Sequence, residues 1–207
     1  MPRRPSRRDI AEEDRLQLKQ QRDFRVAADA VVAALARFPE VQKIALFGSV
    51  ARPLVREVPR FQPYRRLGIE VLHECSDVDL AVWLTSVDRL RELGRARSQA
   101  TSRLFDSVGV GVAHHQVDVF LLAVSDGRYL GRLCSFATCP KGKPDCSVPG
   151  CGATPFLKQH KGFVFAADAL DNAVILFDRQ SGARAMAVAL PSQPVPSGAS
   201  MLGGSDD

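Results

Sequence analysis

The sequence contains no run of about 18 apolar residues, so no segment reads as a membrane-spanning helix. Its N-terminus is basic, with Arg3, Arg4, Arg7 and Arg8, but no apolar stretch stands behind these residues and the segment does not read as a secretory signal. No internal repeat and no C-x2-C pair occurs. These absences set the expectation of a soluble, cytoplasmic protein with no membrane partner. What is present is ordinary for a globular chain: 207 residues, 45% hydrophobic and 25% charged, enough for one domain with a real core. The net charge of +5 and the pI near 9.2 suit a polyanionic ligand, a nucleoside triphosphate or a nucleic acid. The arginines at the N-terminus supply much of that charge.

Residues 1–9, basic and Pro-containing, and residues 191–207, rich in Pro, Ser and Gly, read as disordered tails around a domain spanning 10–190. Between Asp9 and Phe38 good helix formers predominate. There Phe24, Ala27, Ala28, Val31, Val32, Leu35 and Phe38 recur at the spacing of an amphipathic helix, which Pro39 ends. Val41 to Phe47 reads as a strand running into Gly48-Ser49. Arg52 to Glu74, with Pro53, Pro59, Pro63 and five arginines, reads as an inserted loop. A strand is expected from Asp77 to Leu84, a helix over 87–107 and a strand from His115 to Leu122. A helix is then expected from Phe156 to Ala169, and strands from Ala173 to Phe177 and from Ala185 to Leu190. This order predicts an α/β (α+β) fold, a mixed sheet with helices on one side.

The acidic residues carry the chemistry. Asp77 and Asp79 are two apart, so in an extended strand both carboxylates face one spot, where a positive charge must offset their repulsion. Asp118 stands alone inside the apolar run Val117 to Leu122, and a buried unpaired carboxylate is costly, which places it beside the first pair. Three carboxylates with no histidine among them favour Mg²⁺ or Mn²⁺ over zinc. Gly48 lets a backbone approach phosphate closely, Ser49 offers a hydroxyl and an N–H, and Arg52 has a guanidinium that forks onto two phosphate oxygens. Each feature alone has a plainer reading: Asp-x-Asp as a turn or cap, Ser49 as a turn residue, Arg52 to Arg66 as a solvated loop. His114 and His115, just before the Asp118 strand, read as structural or exposed.

Taken together, Leu46-Phe47-Gly48-Ser49, Ser76-Asp77-Val78-Asp79-Leu80 and Val117-Asp118-Val119 resemble the nucleotidyltransferase superfamily, polymerase beta-like and closest in size to its minimal members. The resemblance covers about residues 22–124. It implies a two-metal, Mg²⁺-dependent enzyme that moves a nucleoside monophosphate from an NTP, ATP first, to a hydroxyl on a protein, a small molecule or an RNA end. Asp77 and Asp79 would ligate the ions, and Asp118 would act as a further ligand or as the base. A protein-modifying or toxin–antitoxin role, with a helical protein partner, is also implied. The chain departs from the small members in the long interval between Ser49 and Asp77, which loop-closure entropy tolerates. An inactive, zinc-stabilised module binding a protein or nucleic-acid partner is the competing expectation.

Cys134, Cys139, Cys146 and Cys151 form a C-x4-C-x6-C-x4-C pattern in a stretch rich in Pro, Gly and Lys. Four thiolates suit a closed, structural Zn²⁺ site, with His160 as a substitute for one of them. Two disulfides or unconnected thiols are the other readings, and a cytoplasmic setting disfavours disulfides. Cys75 reads as a small buried residue.

Overall fold

The computed structural model describes residues 4–139, 151–159 and 162–193. The chain starts with α1, Arg7–Leu35. Ser6 caps it: its hydroxyl accepts the Asp9 N–H, while the Asp9 carboxylate accepts the Ser6 N–H at 2.7 Å. Residues 7–9, expected in a disordered tail, are therefore the first turn of the helix. Phe24, Ala27, Ala28, Val31, Val32 and Leu35 form its buried face, as the periodicity predicts. Burying each of the larger side chains contributes about 1.5–3 kcal/mol.

β1 (Val41–Phe47) leads into an excursion holding β2 (Arg56–Glu57), the single-turn α2 (Tyr64–Leu67) and β3 (Val71–Leu72). There follow β4 (Val78–Leu84), α3 (Leu90–Val108), β5 (Val117–Ala123), β6 (Tyr129–Leu133), β7 (Leu157–Lys158) and β8 (Val174–Asp178). Six strands form one sheet in the order β7-β6-β5-β4-β1-β8, while β2 and β3 pair separately. The β4/β5 pair is parallel and joined through α3, and the other pairs are antiparallel. The fold is thus the mixed α/β arrangement that the element order predicts. Helices α1 and α3 bury one face of the sheet over Val31, Leu35, Ile44, Leu46, Leu80 and Leu121. The other face carries a smaller cluster of Ala45, Phe47, Ala81, Phe120 and Leu122, covered by Tyr129, Phe165, Leu170 and Ala173.

Three expectations are corrected. The expected helix from Phe156 to Ala169 is not formed: Leu157–Lys158 pairs with Arg132–Leu133 at the sheet edge, and among the described residues of this stretch only those of the 3-10 turn Ala167–Leu170 wind. Phe165 packs on the sheet instead, edge-on to Phe47 at 5.9 Å. Ala185 to Leu190 is not a strand, because the Asp29 carboxylate takes the N–H groups of Ala187 (2.6 Å) and Val188 (3.2 Å) that a ladder would need. Residues 191–193, expected in the C-terminal tail, are held in place: Arg25 Nη2 donates to the Pro191 carbonyl at 3.2 Å, and the Leu54 N–H donates to Ser192 O at 2.9 Å. Residues 194–207 lie outside the described residues. No helix among the described residues is long and apolar enough to cross a membrane.

Candidate active site

Antiparallel pairing sets the Phe47 end of β1 opposite Asp79, and parallel pairing sets Asp79 opposite Asp118. Alternation along β4 and β5 then puts both carboxylates on the face that the helices leave free, at the end where Gly48-Ser49 leaves β1. Asp77 sits just before β4, half-buried. Gly48 has φ +74°, and a Cβ at that position would collide with Asp79 Oδ2. This glycine is required both by its backbone conformation and by the carboxylate packed on it.

The carboxylates are coupled electrostatically. Burial pushes the Asp79 carboxyl up to about 7, and the Asp118 and Asp77 charges add to the rise. The opposing cation is Arg132 on β6, whose Nη1 donates to Asp118 Oδ2 at 2.5 Å. Its guanidinium lies 4.6 Å from the Phe120 ring centre and 5.3 Å from that of Phe163. A second cation, Arg97 of α3, is buried on the helix side and donates to the carbonyls of Val117 (3.2 Å) and Cys134 (2.9 Å). Burial lowers its pKa, against the pull of Asp118 and Cys134.

Polar side chains of α1 fix the two roots of the excursion. Gln21 Nε2 donates to the Arg52 carbonyl at 2.8 Å, and Gln20 Nε2 to that of Cys75 at 2.7 Å. Arg25, 1% exposed, donates from Nε to Val50 O (3.0 Å) and from Nη1 to Leu190 O (2.6 Å). Further along, Asp14 pairs with Arg56 and accepts the Leu72 N–H at 2.8 Å. The excursion is therefore an ordered module, rooted at both ends beside the carboxylates.

The sequence-derived set divides. Asp77, Asp79, Asp118 and Gly48 come together. Ser49 faces Cys75 instead: burial pushes that thiol up, while the Ser49 hydroxyl and the charges of Arg25 and Arg52 oppose the rise. Arg52 is exposed and acts on Cys75, whereas the cation acting on Asp79 is Arg132. Cys75 is buried as expected, 4.0 Å from His73 Nε2. His114 pairs with the Ser135 carbonyl at 3.2 Å. Sequence reasoning missed Arg132. The available signal was an arginine inside the strand-like run Tyr129 to Leu133, following an acid-bearing strand.

Asp77, Asp79 and Asp118 offer only oxygen donors, and burial with repulsion from its two neighbours leaves Asp79 short of positive charge, which fits a hard divalent cation. As the side chains stand, Asp118 is committed to Arg132, and no group of three or more His, Cys, Asp or Glu among the described residues is arranged to hold a metal. Cys134 and Cys151 both end up beside β7: the Cys134 N–H donates to Phe156 O at 2.9 Å, and Cys151 bridges to Lys158. Cys139 is half-buried. Cys146 and His160 lie outside the described residues. A groove of about 670 Å³ between α1 and α3, floored by Ala30, Ala34, Ala96 and Ala100, lies on the helix side and carries none of the acids.

No protein-family model, curated protein or solved structure matches the chain.

Proposed function

We propose that the chain is a metal-dependent nucleotidyltransferase, moving a nucleoside monophosphate from an NTP to a hydroxyl acceptor. The observation that carries this reading is the Asp79/Asp118 register pair with Gly48 closed against Asp79 Oδ2. Asp77, Asp79 and Asp118 would hold Mg²⁺ or Mn²⁺, which supplies charge stabilisation for the transferring phosphoryl oxygens. Asp79, with its carboxyl raised to about 7, shares the site with a proton near neutral pH, and an arriving cation would favour the ionised form, so occupancy and deprotonation are coupled. Gly48, lacking a Cβ, lets the Asp79 carboxylate sit directly against the turn that leaves β1. Arg132 holds Asp118 in the absence of ligand and offers two-pronged donation to phosphate oxygens on release.

ATP is the first donor to test, and the acceptor is a protein, a small molecule or an RNA end. A helical protein partner belongs to the same reading. Wild type, Asp79→Asn and Asp118→Asn are incubated with each labelled NTP and Mg²⁺, following nucleotide binding and pyrophosphate release. Binding that needs Mg²⁺ and is lost in both variants is expected. A wild-type protein that neither binds nor turns over any NTP with Mg²⁺ sinks the reading.

The Arg132–Asp118 pair favours a second reading, an inactive binding module for a protein or nucleic-acid partner in which the arginine permanently replaces the metal. Arg132→Ala separates the two. It frees Asp118 for metal in an enzyme, and simply destabilises a module that needs no metal.

A further inference from the structure

The helix-free face of the sheet is closed by aromatic side chains, and at one point that cover is open. Phe47, Phe120, Tyr129 and Phe165 pack against one another, with Tyr129 and Phe165 stacked at 5.4 Å and 15°. Phe163 joins the edge of this group, 5.4 Å from Tyr129 and 6.5 Å from Phe120, yet stays 37% exposed, and its neighbour Val164 is 82% exposed. The Arg132 guanidinium touches both the Phe120 and Phe163 rings and reaches Asp118. One side chain thus links an exposed aromatic ring to the carboxylates.

We propose that Phe163 is the stacking surface for the base of the nucleotide, an inference that rests on the nucleotidyl-transfer reading. A nucleotide presents its anionic phosphates and its flat, weakly hydrated base at opposite sides of one ribose. This face presents charged groups at Asp79, Asp118 and Arg132 and, next to them, an aromatic ring open to solvent. Tyr129 and Phe120 back that ring, so it is held in place before ligand arrives and little ordering is required on binding. Stacking reads the base through its π-face and discriminates weakly among bases, so similar affinity for ATP and GTP is expected, with smaller pyrimidines weaker. Arg132, already lying against the same ring, lies between base and phosphate and positions both.

The experiment measures binding of Mg²⁺-ATP and of Mg²⁺-tripolyphosphate, by calorimetry, to wild type, Phe163→Ala and Phe163→Trp, with circular dichroism checking that each is folded. Phe163→Ala is expected to weaken ATP about 5-fold or more, the lower end for loss of one base–aromatic stack, and to leave tripolyphosphate unchanged. Phe163→Trp retains ATP binding, and its added indole emission is quenched by ATP and not by tripolyphosphate. Equal ATP affinity in wild type and Phe163→Ala overturns the inference. So does wild-type binding of tripolyphosphate as tight as that of ATP, which leaves the nucleotidyl-transfer reading standing. Failure of both ligands to bind wild type removes that reading and the inference together.

Discussion

Asp79 and Asp118 are Cα partners on the parallel strands β4 and β5, and both side chains leave the sheet on the face without helices. Two carboxylates at one register level repel, and here Arg132 hydrogen-bonds Asp118 and reaches Asp79 through its charge alone. Asp79 therefore bears the cost of the pair. Its carboxyl is raised from an ordinary 3.8 to about 7, first by burial and then by Asp118 and Asp77.

The sign of the pH dependence follows. Between about pH 4 and 7 the folded chain keeps a proton on Asp79 that the unfolded chain has released, so stability is fully present below pH 4 and is lost as pH rises through 7. In metal-free buffer the loss is on the order of a few kcal/mol. Asp79→Asn removes the titration. Urea unfolding at pH 5 and pH 8 with chelator present should show a fall for wild type and a much smaller one for the variant, and Mg²⁺ should narrow the wild-type fall. Parallel behaviour of the two proteins would mean that Asp79 does not carry the charge strain.

Gly48→Ala is expected to destabilise by about 1–3 kcal/mol: about 1–2 for forcing a Cβ into positive φ, and more for displacing Asp79 Oδ2. Part of that cost is contact with one side chain, so it should shrink when Asp79 is truncated. A double-mutant cycle of Gly48→Ala with Asp79→Ala tests this. A coupling within error of zero would show that the close approach plays no part in stability.

The elements that build this site differ in how plainly the sequence announces them. α1 and α3 bury one stripe each, so their apolar periodicity is visible. β1, β4 and β5 are central strands and read as apolar runs in which Asp79 and Asp118 stand out. β6 was hidden because it is short and contains Gly131 at φ +148°, against Leu157, where any side chain would clash. Arg132 was hidden with it, since its meaning depends on lying opposite Phe120 across a strand pair. Ala187 and Val188 misled because a carboxylate from distant α1 captures their N–H groups. Gln20, Gln21 and Arg25 of α1 carry no local signal of the loops they anchor, because the carbonyls they bind lie far along the chain. In each failure a side chain far away in sequence decides the local backbone.

Arg25 gives a sharp test of that anchoring. Its guanidinium has no carboxylate partner among the described residues and instead donates to Val50 O, Arg52 O, Leu190 O, Pro191 O and Ser192 Oγ. Burial lowers its pKa, with the Cys75 charge opposing. Arg25→Lys keeps the charge but cannot span acceptors on two segments. Both Arg25→Lys and Arg25→Ala should cost about 3 kcal/mol or more in denaturant unfolding, as breaking a buried network does. Hydrogen exchange should rise at residues 50–54 and 190–192 together. Faster exchange at only one of these segments would show that Arg25 does not couple them.

The cysteine segment can be tested through its two ends. Cys134 is buried at the end of β6, its carbonyl held by Arg97 Nη2 at 2.9 Å, and Cys151 is bridged to Lys158, which itself pairs with Arg132. Both ends of the 134–151 stretch are thus fixed to the same narrow sheet edge, which lowers the entropy cost of closing a thiolate site between them. We expect about one Zn²⁺ per chain in protein purified without chelator, with Cys134→Ser and Cys151→Ser each losing it. Because β7 pairs with β6 through Arg132 and Leu133, loss of the metal should also loosen Arg132 and, on the nucleotidyl-transfer reading, weaken the proposed Mg²⁺-dependent nucleotide binding. Elemental analysis and non-reducing mass spectrometry decide the matter. Well below one zinc per chain, or intact disulfides among these cysteines, would remove the zinc site while leaving the carboxylate site untouched.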